Sequence, residues 1–160
     1  MRRRLSICLL FVVVGSITYA NSLYGPFIYD DLEAIEQNHT IRQLWPPLQA
    51  LSPPKQLPVS GRPIINLSLA INYQFGGLDV IGYHVVNITI HILCALVLYG
   101  IIRRTLLCEA LKDRFKPSAG WLAGLCSLVW LVHPMQSECV NYIIQRTELL
   151  MALIYLHTLY

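Results

Sequence analysis

VIGYHVVNITIHILCALVLYGII, residues 80 to 102, contains no Asp, Glu, Lys or Arg in 23 positions. A hydrocarbon core about 30 Å thick takes roughly 20 apolar residues of helix to cross. The stretch therefore reads as a membrane span over residues 83–102. Three more apolar runs share this character. One covers Leu5 to Leu23, one lies around WLAGLCSLVWLV (121–132), and one begins at Leu149 and is still apolar at Tyr160. The last holds 12 residues, too few to span, which predicts the N-terminal piece of a longer polytopic protein.

The composition agrees. Apolar residues make up 55% of the chain and charged residues 13%, about half the share of a soluble domain. A net charge of +3 is too small to point to nucleic acid. Three of the five cysteines (Cys8, Cys94, Cys126) fall inside apolar runs, and no CxxC occurs, so neither a disulfide framework nor a zinc site is expected.

The basic residues set an orientation. Arg2, Arg3, Arg4, Arg103, Arg104, Lys112, Arg114 and Lys116 fall on one side of the spans, against Arg42, Lys55, Arg62 and Arg146 on the other. The positive-inside rule puts the N-terminus in the cytosol. The expected order is a basic N-terminus (1–4), span (5–23), non-cytosolic loop (24–82), span (83–102), cytosolic loop (103–117), span (118–133), non-cytosolic interfacial helix (134–148) and the start of a fourth span (149–160). A cleaved signal peptide is the rival for the first run, but Thr18-Tyr19-Ala20 is a poor cleavage site.

The large loop opens on an acidic pair, Asp30-Asp31, in a segment (30–44) read as a short helix whose first turn the pair could cap. Five prolines between residues 45 and 60 predict an extended linker. In RPIINLSLAINYQFGG (62–77), Pro63 and Gly76-Gly77 punctuate a helix, whereas the alternation of Ile65, Leu67, Leu69, Ile71, Tyr73 and Phe75 with polar or small residues fits a strand. Asn38-His39-Thr40 is a glycosylation sequon on the non-cytosolic side.

Polar residues inside a span are costly and usually face the bundle or a wet cavity. His84, Asn87 and His91 share one helical face. They read either as interhelical hydrogen-bonding groups or as the lining of a cavity below the acidic loop. In HPMQSECVNYIIQRTELL (133–150), Glu138, Asn141, Gln145 and Glu148 oppose Val140, Ile143, Ile144 and Thr147. This predicts an amphipathic helix on the outer membrane face, with Arg146 beside its polar side. Carboxylates at such a surface can bind cations, relay protons or act as a general base.

Four blocks in order carry a resemblance: FIYDDLEAIEQN, GRPIINLSLAINYQFGG, GYHVVNITIHIL and HPMQSECVNYIIQRTELL. Together they resemble the membrane half of the TMTC family, the transmembrane and tetratricopeptide-repeat O-mannosyltransferases and their bacterial relatives, of the GT-C glycosyltransferase class. The resemblance implies an all-α polytopic membrane protein with a large first outer loop carrying short interfacial helices, residues 63–75 among them. It implies inverting transfer of a sugar, mannose, from a polyprenyl- or dolichyl-phosphate donor in the bilayer to Ser or Thr hydroxyls of a protein acceptor. The host membrane would be that of the ER or the bacterial inner membrane. By position, the catalytic acid carries over to Asp30 with Asp31 as its partner. Arg146, with His133 second, becomes the candidate for the donor phosphate, and Glu138 for a second-loop acid that holds a divalent metal or orients the acceptor. No 34-residue repeat occurs in this chain, and alone it is expected to be inactive. The rivals are a transporter or channel segment and a non-catalytic membrane scaffold.

Overall fold

A computed structural model describes residues 2–160, with side chains from residue 5 onward, so the side chains of Arg2, Arg3 and Arg4 lie outside the description. The described residues are helical and contain no strand. The α-helices are α1 (Arg2–Tyr19), α2 (Pro47–Ala50), α3 (Pro63–Gly76), α4 (Val80–Leu106), α5 (Lys112–Phe115), α6 (Ala119–Leu131), α7 (Ser137–Asn141) and α8 (Arg146–Leu159). A 3₁₀ turn (Ala20–Tyr24) prolongs α1, and a π-helical turn (Leu32–Glu36) follows the acidic pair. Two segments, Leu5–Tyr24 and Val80–Leu106, are long and apolar enough to cross a membrane.

The uncharged window is helix α4, the hub on which α1, α6 and α8 pack. Small residues let backbones approach in apolar bundles. At Gly15 of α1 an added Cβ would lie 2.7 Å from Ile92 of α4, so a side chain there would force α1 and α4 apart. Phe11, Ile88, Ile92, Cys94, Leu131 and Leu149 belong to the bundle core. The outward sides of α1, α6 and α8 stay apolar, with Leu9, Ile17, Trp121, Leu125, Met151 and Ile154 exposed. Contiguous apolar surface of this extent suits lipid as the surrounding medium.

Helix α6 has 13 residues, about 20 Å of rise, and stops short of a bilayer's width. Its terminal carbonyls would be orphaned in lipid. At Leu131 the carbonyl accepts from Tyr19 Oη (3.0 Å) and from His91 Nε2 (2.9 Å). The His91 ring also stacks, tilted, on Trp130 at 4.8 Å. Two side chains from α1 and α4 thus end α6 inside the bundle.

Above this level the loop folds into a cap with its own core of Ile35, Ile41, Val59, Ile65, Leu69 and Ile143. Helix α3 resolves the clash between alternation and punctuation in favour of helix. Ile65, Asn66, Leu69 and Ala70 face the cap core, while Ile64, Ile71 and Phe75 are exposed on the other side. Two apolar faces on one helix imitate a period of two. Gly77, at φ 59°, makes the left-handed turn that links α3 to α4.

Two loop expectations change. Asn38 of the sequon is fully buried. Its amide donates to Ala34 O (3.0 Å) and Asn66 Oδ1 (2.8 Å), and its oxygen accepts from Thr40 N and Thr40 Oγ1. In the folded chain this sequon is a structural knot with no room for a glycan. The proline segment is also not wholly extended, since Pro47 starts the single turn of α2, whose Ala50 carbonyl accepts from Asn66 Nδ2.

Candidate functional site

The acidic pair lies where the loop leaves the first span, in a turn closed by bonds from Asp31 N to Ile28 O and Leu32 N to Tyr29 O. Tyr29 occupies the left-handed region at φ 46°. A bulky residue there costs of order 1–3 kcal/mol. The two aspartates, equivalent in sequence, part company. Asp30 is exposed; Asp31 is 1% exposed.

Asp31 does not cap its own helix. Its Oδ1 accepts from Ile144 N (2.8 Å), 113 residues away, and its Oδ2 accepts from Ile28 N (3.3 Å). Burial raises its pKa from 3.8 to about 6, against the pull of these amide donors and with a smaller push from the Asp30 charge. A folded pKa above the unfolded one means that Asp31's contribution to stability is fully present below about pH 4 and is lost as pH rises through about 6. The thermal midpoint of the chain in nanodiscs should accordingly be higher at about pH 5 than at about pH 7.5, and Asp31→Asn should flatten that slope. An unchanged slope in the variant would remove Asp31 as its source.

Asp30 is held by Tyr142 through both its backbone and its side chain. Its N–H donates to the phenol oxygen of Tyr142 (3.0 Å), whose ring meets that of Tyr29 edge-on at 6.5 Å. Burial raises the Tyr142 pKa, and the carboxylates of Asp30 and Asp31 add to this, so the phenol keeps its proton. Nothing in the periodicity of the sequence singles out Tyr29 or Tyr142. The one available signal is that an aromatic residue directly precedes the acids.

The 134–148 segment is not one amphipathic helix. Pro134–Gln136 forms a 3₁₀ turn, α7 ends at Asn141, and Tyr142 is extended (ψ 113°) before a second 3₁₀ turn at Ile143–Gln145. The break is tolerated because side chains from elsewhere serve the freed backbone. Asn87 Nδ2 donates to Ile143 O (3.2 Å) and Val140 O (3.5 Å), and Asp31 takes the Ile144 N–H.

Arg146 differs most from its expected setting. It is fully buried between the cap and the bundle, not beside a polar surface. Its Nε donates to Asn87 Oδ1 (2.8 Å), Nη1 to Ser68 O (3.3 Å) and Oγ (3.4 Å), and Nη2 to Tyr83 O (3.1 Å). Burial lowers its pKa to about 10, opposed by Tyr83 and Asp31, so it stays cationic at neutral pH. Among the described residues the one ion pair is Lys112–Glu109, so this buried cation has no carboxylate in direct contact.

The stripe on α4 is engaged in packing. His84 Nε2 donates to Gly25 O (3.1 Å), Asn87 joins Arg146 to the broken segment, and His91 caps α6. A groove of about 310 Å³ between α1 and α4 is lined by Val12, Ser16, Ile88, Thr89 and neighbours, and by none of these three. Glu138 and His133 are exposed, and His133 Nδ1 accepts from Met135 N (3.2 Å). No hydrogen bond or ion pair joins either to the acidic pair among the described residues. No three His, Cys, Asp or Glu side chains gather as a metal site among the described residues.

The structure defines a helical segment with two membrane-length helices and a cap carrying one exposed and one buried aspartate. No protein-family profile matches the chain, and no solved structure does. Curated relatives do. A protein O-mannosyl-transferase of Caenorhabditis elegans is 31% identical over 91% of this chain and 21% of its own length. Protein O-mannosyl-transferase TMTC4 of Homo sapiens is 33% identical over 91% of the chain and 22% of its own length. Protein O-mannosyl-transferase tmtc2 of Xenopus laevis is 31% identical over 94% of the chain and 18% of its own length. The chain spans about a fifth of the length of the curated relatives it matches. Over that span it is similar to TMTC-family protein O-mannosyl-transferases, and the apolar helices fit a membrane protein.

Proposed function

We propose that this chain is the part of a multi-pass membrane glycosyltransferase, of GT-C type, that presents the catalytic base. The donor is a polyprenyl- or dolichyl-phosphate sugar, the sugar is mannose, and the acceptors are Ser or Thr hydroxyls of proteins on the non-cytosolic side. The N-terminus lies in the cytosol, and the membrane is that of the ER or the bacterial inner membrane. In the longer protein that the resemblance implies, further spans and tetratricopeptide repeats would complete the enzyme.

The observation that carries this reading is the split of the acidic pair. Asp30 is exposed at the end of the first span, while Asp31 is buried and tied to Ile144. A general base must reach the proton it removes, and it must be held still by something else. Asp30 takes the proton of the acceptor hydroxyl as its oxygen attacks the anomeric carbon. The bond from that carbon to the phosphate oxygen breaks on the opposite face, which inverts the centre. Phosphate leaves as an anion, so the second carboxylic acid of a glycosidase is not required. Asp31 and Arg146 serve as supports within the fold. Glu138 and His133, exposed after α6, are the candidates for contacts to acceptor, donor phosphate or a divalent metal.

The test is transfer in membranes containing the protein expressed from its complete reading frame. Dolichyl-phosphate mannose and a Ser/Thr-rich polypeptide should give mannosylated hydroxyls with inverted configuration. Labelling of a cysteine placed at residue 33 should occur only from the non-cytosolic side. Absence of transfer, or labelling from the cytosol, would overturn the proposal.

A further inference from the structure

We propose that Tyr29 is a sugar-contacting residue: its ring, backed by Tyr142, is the wall against which the pyranose of the donor lies beside Asp30. The inference rests on the glycosyltransfer reading and names a contact of that site.

The ring of Tyr29 has no packing role that accounts for it. The residue is 79% exposed, and its one ring contact is the edge of Tyr142. Yet its backbone is held at φ 46°, where a side chain is sterically disfavoured and glycine fits at no such cost. A turn of this shape ahead of two acids needs the backbone conformation only; it does not need a tyrosine. Large aromatic residues left in strained, exposed positions beside a candidate reactive group point to function more than to folding.

The neighbourhood suits a sugar. A pyranose offers one apolar C–H face and a rim of hydroxyls, so it pairs with a flat apolar ring beside hydrogen-bonding groups. Tyr29 supplies the ring. The Asp30 carboxylate supplies an acceptor one residue on. The Tyr142 phenol, which accepts from Asp30 N and lies against the Asp30 side chain, adds a second polar edge beside the ring. The two rings stand nearly perpendicular, at 82°, so they form a corner and do not compete for one face.

The experiment compares Tyr29→Gly, Tyr29→Leu and Tyr29→Phe in the protein expressed from its complete reading frame. Thermal unfolding and mannose transfer from dolichyl-phosphate mannose are read in parallel. Tyr29→Gly relieves the strained backbone, so it should unfold at or above the wild-type temperature and yet transfer about tenfold more slowly or worse. Tyr29→Phe should keep transfer within about twofold, and Tyr29→Leu should fall with the glycine variant. The loss should show as a raised KM for the donor, with the KM for the acceptor unmoved. Should Tyr29→Gly not fold, Tyr29→Asn, which tolerates the same backbone region, takes its place. Wild-type transfer in the glycine or leucine variant would overturn the inference alone. Loss in all three variants together with lowered unfolding temperatures would also overturn it, by making the role structural. A wild type with no transfer at all would overturn the proposed function and this contact with it.

Discussion

Asp30→Asn, made in the protein expressed from its complete reading frame, should reduce sugar transfer by about 10²- to 10⁴-fold, the usual contribution of a general base. It should leave insertion, expression and thermal stability unchanged. The reason is geometric. Asp30 is tied to the fold through its amide, which donates to Tyr142, while its carboxylate is exposed and met by the same Tyr142 phenol. Asparagine keeps the amide and the shape and removes the proton acceptor. The shift in unfolding free energy should be within about 0.5 kcal/mol, as for other surface substitutions. Asp31→Asn should behave in the opposite way, with a clear change in stability, because its two oxygens take separate backbone donors. If Asp30→Asn transfers mannose at the wild-type rate, the mechanism fails.

The second large effect is on the fold. Arg146→Ala should destabilise the chain by about 3–5 kcal/mol, because it empties a large buried site and strands a buried acceptor. Its removal strands Asn87 Oδ1, takes the second donor from the helical carbonyls of Ser68 and Tyr83, and opens a cavity between the cap and the bundle. The stranded Asn87 oxygen costs about 1–3 kcal/mol. Arg146→Lys retains the charge but not the planar fork that reaches α3 and α4 at once, so it should fall between the two. Asn87→Ala combined with Arg146→Ala should cost much less than the sum of the single changes, since the pair shares one bond network. Urea or thermal unfolding in nanodiscs measures all of these. An Arg146→Ala variant as stable as wild type would show that the cation is not the link between the two cores.

How much of this was legible before the structure depends on the range of the forces involved. Helix α4 was legible because 23 uncharged residues admit little else. Helix α3 was not decided by local signals, since Pro63 and Gly76-Gly77 pointed to helix and the alternation produced by its two apolar faces pointed to strand; the family resemblance alone favoured helix. The break at Tyr142 was not legible. The carbonyls freed there are served by Asn87, 53 and 56 residues away, and no local pattern records that. Arg146 misled for the same reason. It sits between Gln145 and Glu148, as a surface residue would, but two of its acceptors are backbone carbonyls, which leave no trace in the choice of side chains. The acidic pair was visible as a pair. Which member is exposed and which is buried depends on the Ile144 amide. The sequon failed as a site because its asparagine has better partners inside the cap.

The bond between Asp31 and Ile144 also sets a timetable. The first partner leaves the ribosome 113 residues before the second. At about 5–20 residues per second, synthesis separates them by on the order of ten seconds. Through that interval the first loop waits with its cap core incomplete, because Ile143 and Ile144 are part of it. The segment that carries Asp30 is therefore fixed in place only when the later helices have been laid down. A nascent chain stalled before residue 144 would expose the loop to proteases and chaperones without offering a formed centre.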